Sequence, residues 1–219
     1  TVILNYSSQT KRTNFLAGIS HDLGTLITRI KLQLEIMRKS EAIDSIKNDI
    51  ETMQMFLKEY LDYSEKIKIT KISRINIYKL LSEILNSNPR LSKIVDLKCR
   101  KNLNIKTNKN NLFRIIFNLI ENASKYGKRI LVEVKRIDNS LIINVEDDGP
   151  GVPDKFRKKI FRPFFKIDNS RNLNEQGSGL GLSIANELVK KLNGNIIITA
   201  SKKLKGSCFT IKLQDLQFL

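Results

Sequence analysis

Three short stretches and one lone side chain carry residue types that could do chemistry. Asn118 and Asn122 stand four apart near the end of an apolar-periodic run, so their amides share one helix face. Amide carbonyls are hard oxygen ligands, and a Mg²⁺ that keeps water and phosphate ligands needs only one or two protein oxygens. The same pair also suits the end of an ordinary helix in an Asn-rich chain. Asp147-Asp148-Gly149-Pro150-Gly151 follows a strand-like run. Its glycines let the backbone turn sharply and approach a ligand, and its carboxylate could accept a hydrogen bond from an exocyclic amine. A plain acidic turn is the other reading. Gly177-Ser178-Gly179-Leu180-Gly181-Leu182 leads into a helical pattern from Ile184 to Leu192. A Gly-rich turn entering a helix offers N–H groups and a positive dipole end to phosphate. No ribose-binding acid follows in a βαβ unit and no Gly-Lys-Ser/Thr closes the loop, which excludes the two commonest nucleotide fingerprints. Before it lie Phe161-Arg162-Pro163-Phe164-Phe165 and a polar stretch from Lys166 to Gln176. That stretch reads as a mobile lid, with Lys166 and Arg171 able to reach phosphate.

The lone side chain is His21, the only histidine of the chain. Apolar residues around it fall at 16, 19, 23, 26, 30, 34 and 37, in steps of mostly three and four. That is the seam of a helix bundle. With Leu16, Leu23, Ile30 and Met37 at position a, and Ile19 and Leu26 at position d, His21 takes position f, away from the seam. Its phase keeps it out of the core. A role in chemistry and an incidental surface place both remain open on periodicity alone.

The elements that must position these groups can be read from the same pattern. A second helical run, Ile43, Ile46, Ile50, Met53, Leu57 and Tyr60, follows after only Arg38-Lys39-Ser40, with Ser40 or Asp44 available as cap. So short a connection makes the two helices antiparallel. A lone hairpin buries little, and dimerising into a four-helix bundle would cover both stripes. The polar stretch around Ser64 to Lys71 is a linker. Beyond it, helices are expected near Ile77–Leu85 and Asn110–Lys125, and strands at Arg129–Arg136, Leu141–Glu146, Asn195–Ser201 and Ser207–Leu213, with Gly206 in the last turn. Strands and helices interleave without regular βαβα alternation. The expected fold class is therefore α plus α/β: a helical hairpin, then a mixed sheet covered by helices on one face. The expected divisions are an N-terminal linker 1–9, the hairpin 10–64, a linker 65–71 and the α/β domain 72–219.

Composition sets the outer limits. The 219 residues hold 39 Lys and Arg against 22 Asp and Glu, a net charge of +17, which points either to an acidic partner or to a generally basic surface. Trp is absent and no aromatic platform is interleaved with the charges, so nucleic acid is not an expected partner. No apolar run approaches the ~20 residues that span a bilayer, so any membrane anchor lies outside this chain or does not exist. Two distant cysteines, Cys99 and Cys208, read as reduced thiols.

The strings themselves add a resemblance. Gly18-Ile19-Ser20-His21-Asp22-Leu23, then Thr25 and Leu26-Ile27-Thr28-Arg29-Ile30, resembles the phosphoacceptor box of sensor histidine kinases, most of all the EnvZ-type osmosensors. Gly24 and Leu26 stand where that family usually has Arg and Pro. The order Asn118/Asn122, Asp-x-Gly-x-Gly, aromatic box and Gly-x-Gly-Leu-Gly resembles the ATP-binding domain shared by histidine kinases, gyrase, heat-shock chaperones and mismatch-repair ATPases. It covers about residues 72 to 215.

The resemblance implies the cytoplasmic catalytic core of an inner-membrane sensor, anchored outside this chain. It implies a homodimer that uses ATP and Mg²⁺ and hands a phosphoryl group to an Asp of a response regulator. His21 would be the phosphoacceptor, Asp22 its hydrogen-bonding partner, and Thr25 the residue that orients water for phosphatase activity. Asp147 would bind the adenine amine in a pocket shaped by Gly149 and Gly151. Asn122 and Asn118 would hold Mg²⁺, and Lys125 and Tyr126 would flank the nucleotide. Gly177, Gly179, Leu180 and Gly181 would border the triphosphate, with Lys166 and Arg171 above it. The chaperone and mismatch-repair branches carry a water-activating Glu four residues before the metal Asn. Here that residue is Asn118, which is no base at neutral pH, so ATP is kept for another nucleophile. A nucleotide-binding dimeric scaffold without autokinase activity is the alternative.

Overall fold

The computed structural model describes residues 23–37, 40–47, 49–51, 53–54, 72–167, 179–214 and 216–218. The chain divides into two compact units, Thr1–Thr70 and Lys71–Leu219.

In the first unit, α1 spans helical residues 23–35 and α2 helical residues 41–47, 49–51 and 53–54. Ser40 caps α2: its Oγ accepts from the Ile43 N–H at 3.3 Å and its carbonyl from the Asp44 N–H at 3.0 Å. Lys31 meets Glu51 at 3.3 Å while Glu35, one turn on, meets Lys47 at 2.9 Å. One index climbs as the other falls, as antiparallel helices require. The hairpin core is Ile27 and Leu34 against Ile43 and Ile50. This differs from the expected seam: Leu23, Leu26, Ile30 and Met37 are 41–56% exposed. Apolar residues fill more than one row of α1, and spacing alone does not say which row faces the partner helix. α1 passes through Gly24 and Leu26 without interruption. The bond expected from the Leu26 N–H to the Asp22 carbonyl lies outside the described residues.

The second unit is built on a five-stranded sheet in the order β2-β4-β5-β7-β6 and a two-stranded ribbon, β1-β3. Its strands are β1 (Ser73–Asn76), β2 (Val95–Lys98), β3 (Asn104–Thr107), β4 (Ile130–Ile137), β5 (Ser140–Asp147), β6 (Gly194–Ala200) and β7 (Ser207–Leu213). β2 runs parallel to β4, and the other pairs are antiparallel, so the sheet is mixed. The helices are α3 (Ile77–Asn86), α4 (Pro89–Ile94), α5 (Lys109–Tyr126) and α6 (Gly181–Lys191). α5 lies on β4 and β5, α6 lies on β6, and the two helices pack together. Between helices and sheet sits the core: Leu112, Ile115, Ile116, Leu119 and Ile120 from α5, Leu188 and Val189 from α6, and Val132, Leu141, Ile143, Val145, Phe209 and Ile211 from the sheet.

Asparagines begin three of these helices, each side chain accepting a backbone N–H: Asn76 for α3, Asn88 for α4 and Asn108 for α5. α4, β1, β2 and β3 are additions to the sequence reading. They have four to six residues each, too short to print a period. Among the described residues no helix is long and apolar enough to cross a membrane. Cys99 and Cys208 are free thiols, and burial pushes Cys99 up to about 11.

Candidate functional site

Asp147 ends β5 and is 3% exposed. Its position on the pleat, in step with Val145 and Ile143, turns its side chain to the helix side of the sheet. Its Oδ1 accepts the N–H of Gly149 at 2.9 Å and of Ser207 at 3.1 Å, and its carbonyl accepts the N–H of Gly206 at 3.1 Å. Oδ2 takes no bond among the described residues. Burial raises the pKa of this carboxyl; the Ser207 and Gly149 amides pull it down, and the neighbouring Asp148 charge pushes it up again. The balance is upward, which marks a carboxylate short of donors.

Asp148 has a separate task. Its Oδ1 accepts the N–H groups of Lys128 at 2.7 Å and Arg129 at 2.9 Å, and its own N–H donates to the Arg129 carbonyl at 3.2 Å. It ties the corner after α5 to the end of β5, and the Arg129 N–H holds its carboxyl below the usual range. Gly149 is required by contact: a Cβ there would stand 2.9 Å from the Tyr126 carbonyl oxygen. Gly151 is required by conformation, with φ +76°.

Asn118 and Asn122 lie half-buried on one face of α5. Asn118 Nδ2 donates to the carbonyl of Gly181, the first residue of α6, at 3.1 Å. That bond fixes which end of the amide is nitrogen and leaves Oδ1 as an acceptor. No side chain caps the start of α6. Gly179, just before it, has φ +73°, and a Cβ on it would stand 3.0 Å from the Phe164 backbone; the Phe164 N–H donates to the Gly179 carbonyl at 3.2 Å. Leu180 is buried. Lys125 and Tyr126 are exposed at the end of α5, and Lys166 is exposed beyond the aromatic box.

The α/β unit thus brings together the end of β5, the last two turns of α5 and the start of α6. Thr25 is exposed on α1. His21, Asp22, Arg171 and Gly177 lie outside the described residues. Residues 107–217 match the family model described as histidine kinase-, DNA gyrase B-, and HSP90-like ATPase, and residues 11–67 match the His kinase A (phospho-acceptor) domain. The chain belongs to the sensor histidine kinases.

Among relatives of this histidine kinase, sensor histidine kinase GtrS of Pseudomonas aeruginosa is 29% identical over 85% of the chain and 38% of its own length. Signal transduction histidine-protein kinase ArlS of Staphylococcus aureus is 29% identical over 92% of the chain and 48% of its own. The chain therefore spans less than half the length of these curated relatives. The solved histidine kinase AdeS of Acinetobacter baumannii shares the fold, with a TM-score of 0.62 at 20% identity over 89% of this chain and 98% of that one.

The sequence reading of the kinase missed three residues at the site. Asp148, Gly206 and Ser207 all contact Asp147 or its corner. Asp148 stands inside the Asp-Asp-Gly-Pro-Gly string, but its task depends on the Lys128–Arg129 corner, twenty positions earlier. Spacing places Gly206 only in the last turn, and its closeness to Asp147 depends on the β5–β7 pairing, which local spacing does not reveal.

Proposed function

We propose that this chain transfers the γ-phosphoryl group of ATP to His21 and then supplies it to an Asp of a response regulator. Asp147 carries the reading. It is a buried carboxylate with one oxygen satisfied by two backbone N–H groups and the other open, which matches the exocyclic amine of adenine. Lys125 and Tyr126 border the base, while Gly179, Leu180 and Gly181 open the N-terminus of α6 to the phosphates; Lys166, Gly177 and Arg171 are assigned to the triphosphate by the family pattern alone.

Asn122 and Asn118 fit Mg²⁺ in chemistry, since Asn118 is turned by the Gly181 carbonyl to offer its oxygen. Bound there, Mg²⁺ would neutralise phosphate charge. Transfer itself asks for positioning and charge neutralisation more than covalent help. Asp22 accepts a hydrogen bond from one ring nitrogen of His21, and the other attacks phosphorus. An N–P bond forms, the bond to the bridging β–γ oxygen breaks, and ADP leaves. Thr25, four residues after His21 in sequence, orients water for a separate hydrolysis in which water attacks the regulator's phospho-Asp and inorganic phosphate leaves.

A homodimer follows from the hairpin. Leu23, Leu26 and Ile30 of α1, Met37 just after it, and Ile46 and Met53 of α2 are all at least 41% exposed, and a second copy would cover them as a four-helix bundle. Attachment to a membrane through segments outside this chain, and a place on its cytoplasmic side, belong to the same proposal.

The test is incubation with γ-labelled ATP. The parent chain takes up acid-labile label, as a phosphoramidate does, and His21→Ala keeps ATP binding but takes up none. Label persisting in that variant, or acid-stable label in the parent, defeats the proposal.

A further inference from the structure

We propose that Lys203, on the turn between β6 and β7, is a positioning residue for the nucleotide base: through Glu133 and Glu146 it holds that turn against Asp147. The inference rests on the adenine reading of Asp147.

Glu146 directly precedes Asp147, so the pleat sends the two carboxylates to opposite faces of the sheet. Glu146 is 4% exposed and takes no part in the chemistry above. A buried carboxylate needs partners, and both of its partners come from the turn. Ser201 Oγ donates to its Oε2 at 2.7 Å, and Lys203 Nζ lies 3.6 Å from its Oε1. The same ammonium sits 2.9 Å from Glu133 Oε2 on β4. Lys203 thus clamps the turn to two neighbouring strands. The bond to Lys203 holds the Glu133 carboxyl below its usual range and the Lys203 ammonium above its own.

The turn passes this anchorage on. Ser201 Oγ also accepts the Leu204 N–H at 2.8 Å, and the Ser201 N–H donates to the Gly206 carbonyl at 2.8 Å. The next two amides are those that grip Asp147, Gly206 on its carbonyl and Ser207 on Oδ1. Two N–H groups on one oxygen fix the carboxylate plane, and the plane decides where Oδ2 points. Without Lys203, Glu133 and Glu146 lose their shared cation, the turn loosens, and the Ser207 bond loses its backing.

The effect belongs to the base amine and not to the phosphates, which gives a readout that a purely structural role would not move. Affinities for ATP and for inosine triphosphate, a purine nucleotide without the amine, are measured by calorimetry on the 219-residue chain. Lys203→Met should raise the ATP Kd roughly three- to fivefold, the scale of a partly exposed ion pair acting through one hydrogen bond. The inosine triphosphate Kd should stay put, and Lys203→Arg should restore ATP binding. Glu133→Gln, which removes the nearer carboxylate, gives the same pattern in a second variant should Lys203→Met fold poorly. Unchanged ATP affinity, or equal losses for both nucleotides, overturns the positioning role, even where the variant melts lower. Asp147→Asn separates the two claims. If that variant keeps the parent ATP affinity, the adenine reading itself fails; if it does not, a parent-like Lys203→Met counts against Lys203 alone.

Discussion

Gly206 lies so close to Asp147 that a Cβ on it would stand 2.5 Å from the Asp147 carbonyl oxygen and 2.6 Å from the Gly149 nitrogen, and would overlap Asp147 Oδ1 outright. Backbone on two sides leaves no flexible side-chain end to yield. Gly206→Ala should therefore push the turn off the strand, at a cost of about 1–3 kcal/mol for overpacking, and lose ATP binding with it. A thermal melt paired with an ATP titration checks both parts; parent-like values in either would show that the turn can move away.

Asp147→Asn keeps an oxygen for Gly149 and Ser207 but places a neutral amide in the site. A hydrogen bond to a charged group is worth roughly 1.5–3 kcal/mol, so ATP affinity should fall by about one to two decades. GTP presents a carbonyl where ATP presents an amine, and should bind the parent chain poorly. Equal affinities for the two nucleotides contradict the assignment.

Proton linkage gives an independent check on the same carboxylate. Burial raises the Asp147 pKa in the free protein, and an amine donating to the ionised form lowers it again. ATP binding should then release a proton as pH approaches the raised pKa, and affinity should weaken as pH falls through it. Calorimetry in two buffers of different ionisation enthalpy measures the release, with Asp147→Asn as the blank. The folding sign is opposite for Asp148 and Glu133, whose pKa values are lowered. Their contribution is present above the unfolded carboxylate values and is lost as pH falls through the folded ones.

The exposed row on the hairpin predicts separate outcomes for two neighbours on α1. Leu26→Lys, on the exposed row, should turn dimers into monomers in analytical ultracentrifugation with little loss of helix. Ile27→Ala, in the hairpin core, should instead cost about 2–4 kcal/mol by leaving a cavity. A dimer that survives Leu26→Lys points to another interface.

Gly24 has no neighbour within 4 Å of where a Cβ would lie. Gly24→Ala should stabilise α1 by roughly 0.5–1 kcal/mol. If softness at Gly24 serves switching, the same variant should narrow the range between kinase and phosphatase activity. A ratio of activities equal to the parent's rejects that link while leaving the melting shift intact.

The elements with a clear period could be read directly. α5 announces itself through Leu112, Ile115, Ile116, Leu119 and Ile120, and β4, β5 and β7 through their alternation. The mixed sheet with helices on one face followed from the order of these elements, and the place of Asp147 at the end of a strand from a carboxylate between an alternating run and glycines. What stayed hidden was set by partners distant in sequence. The seam of the hairpin needed α2 to choose between rows of α1, and Gly206 needed β7 beside β5. The four-residue strands carry too few side chains to print any period.

The last described residues close a circuit. Phe218 pairs with Ile105 on the β1–β3 ribbon, Gln217 accepts the Lys106 N–H, and the Phe218 ring lies 4.2 Å from the Arg136 guanidinium. Ile105 and Phe218 are about 110 positions apart, farther than any strand pair in the main sheet, so loop-closure entropy places this contact late in folding. During synthesis the ribbon would wait, its β3 edge unpaired, until Gln217 and Phe218 have emerged, more than a hundred residues after β3 itself.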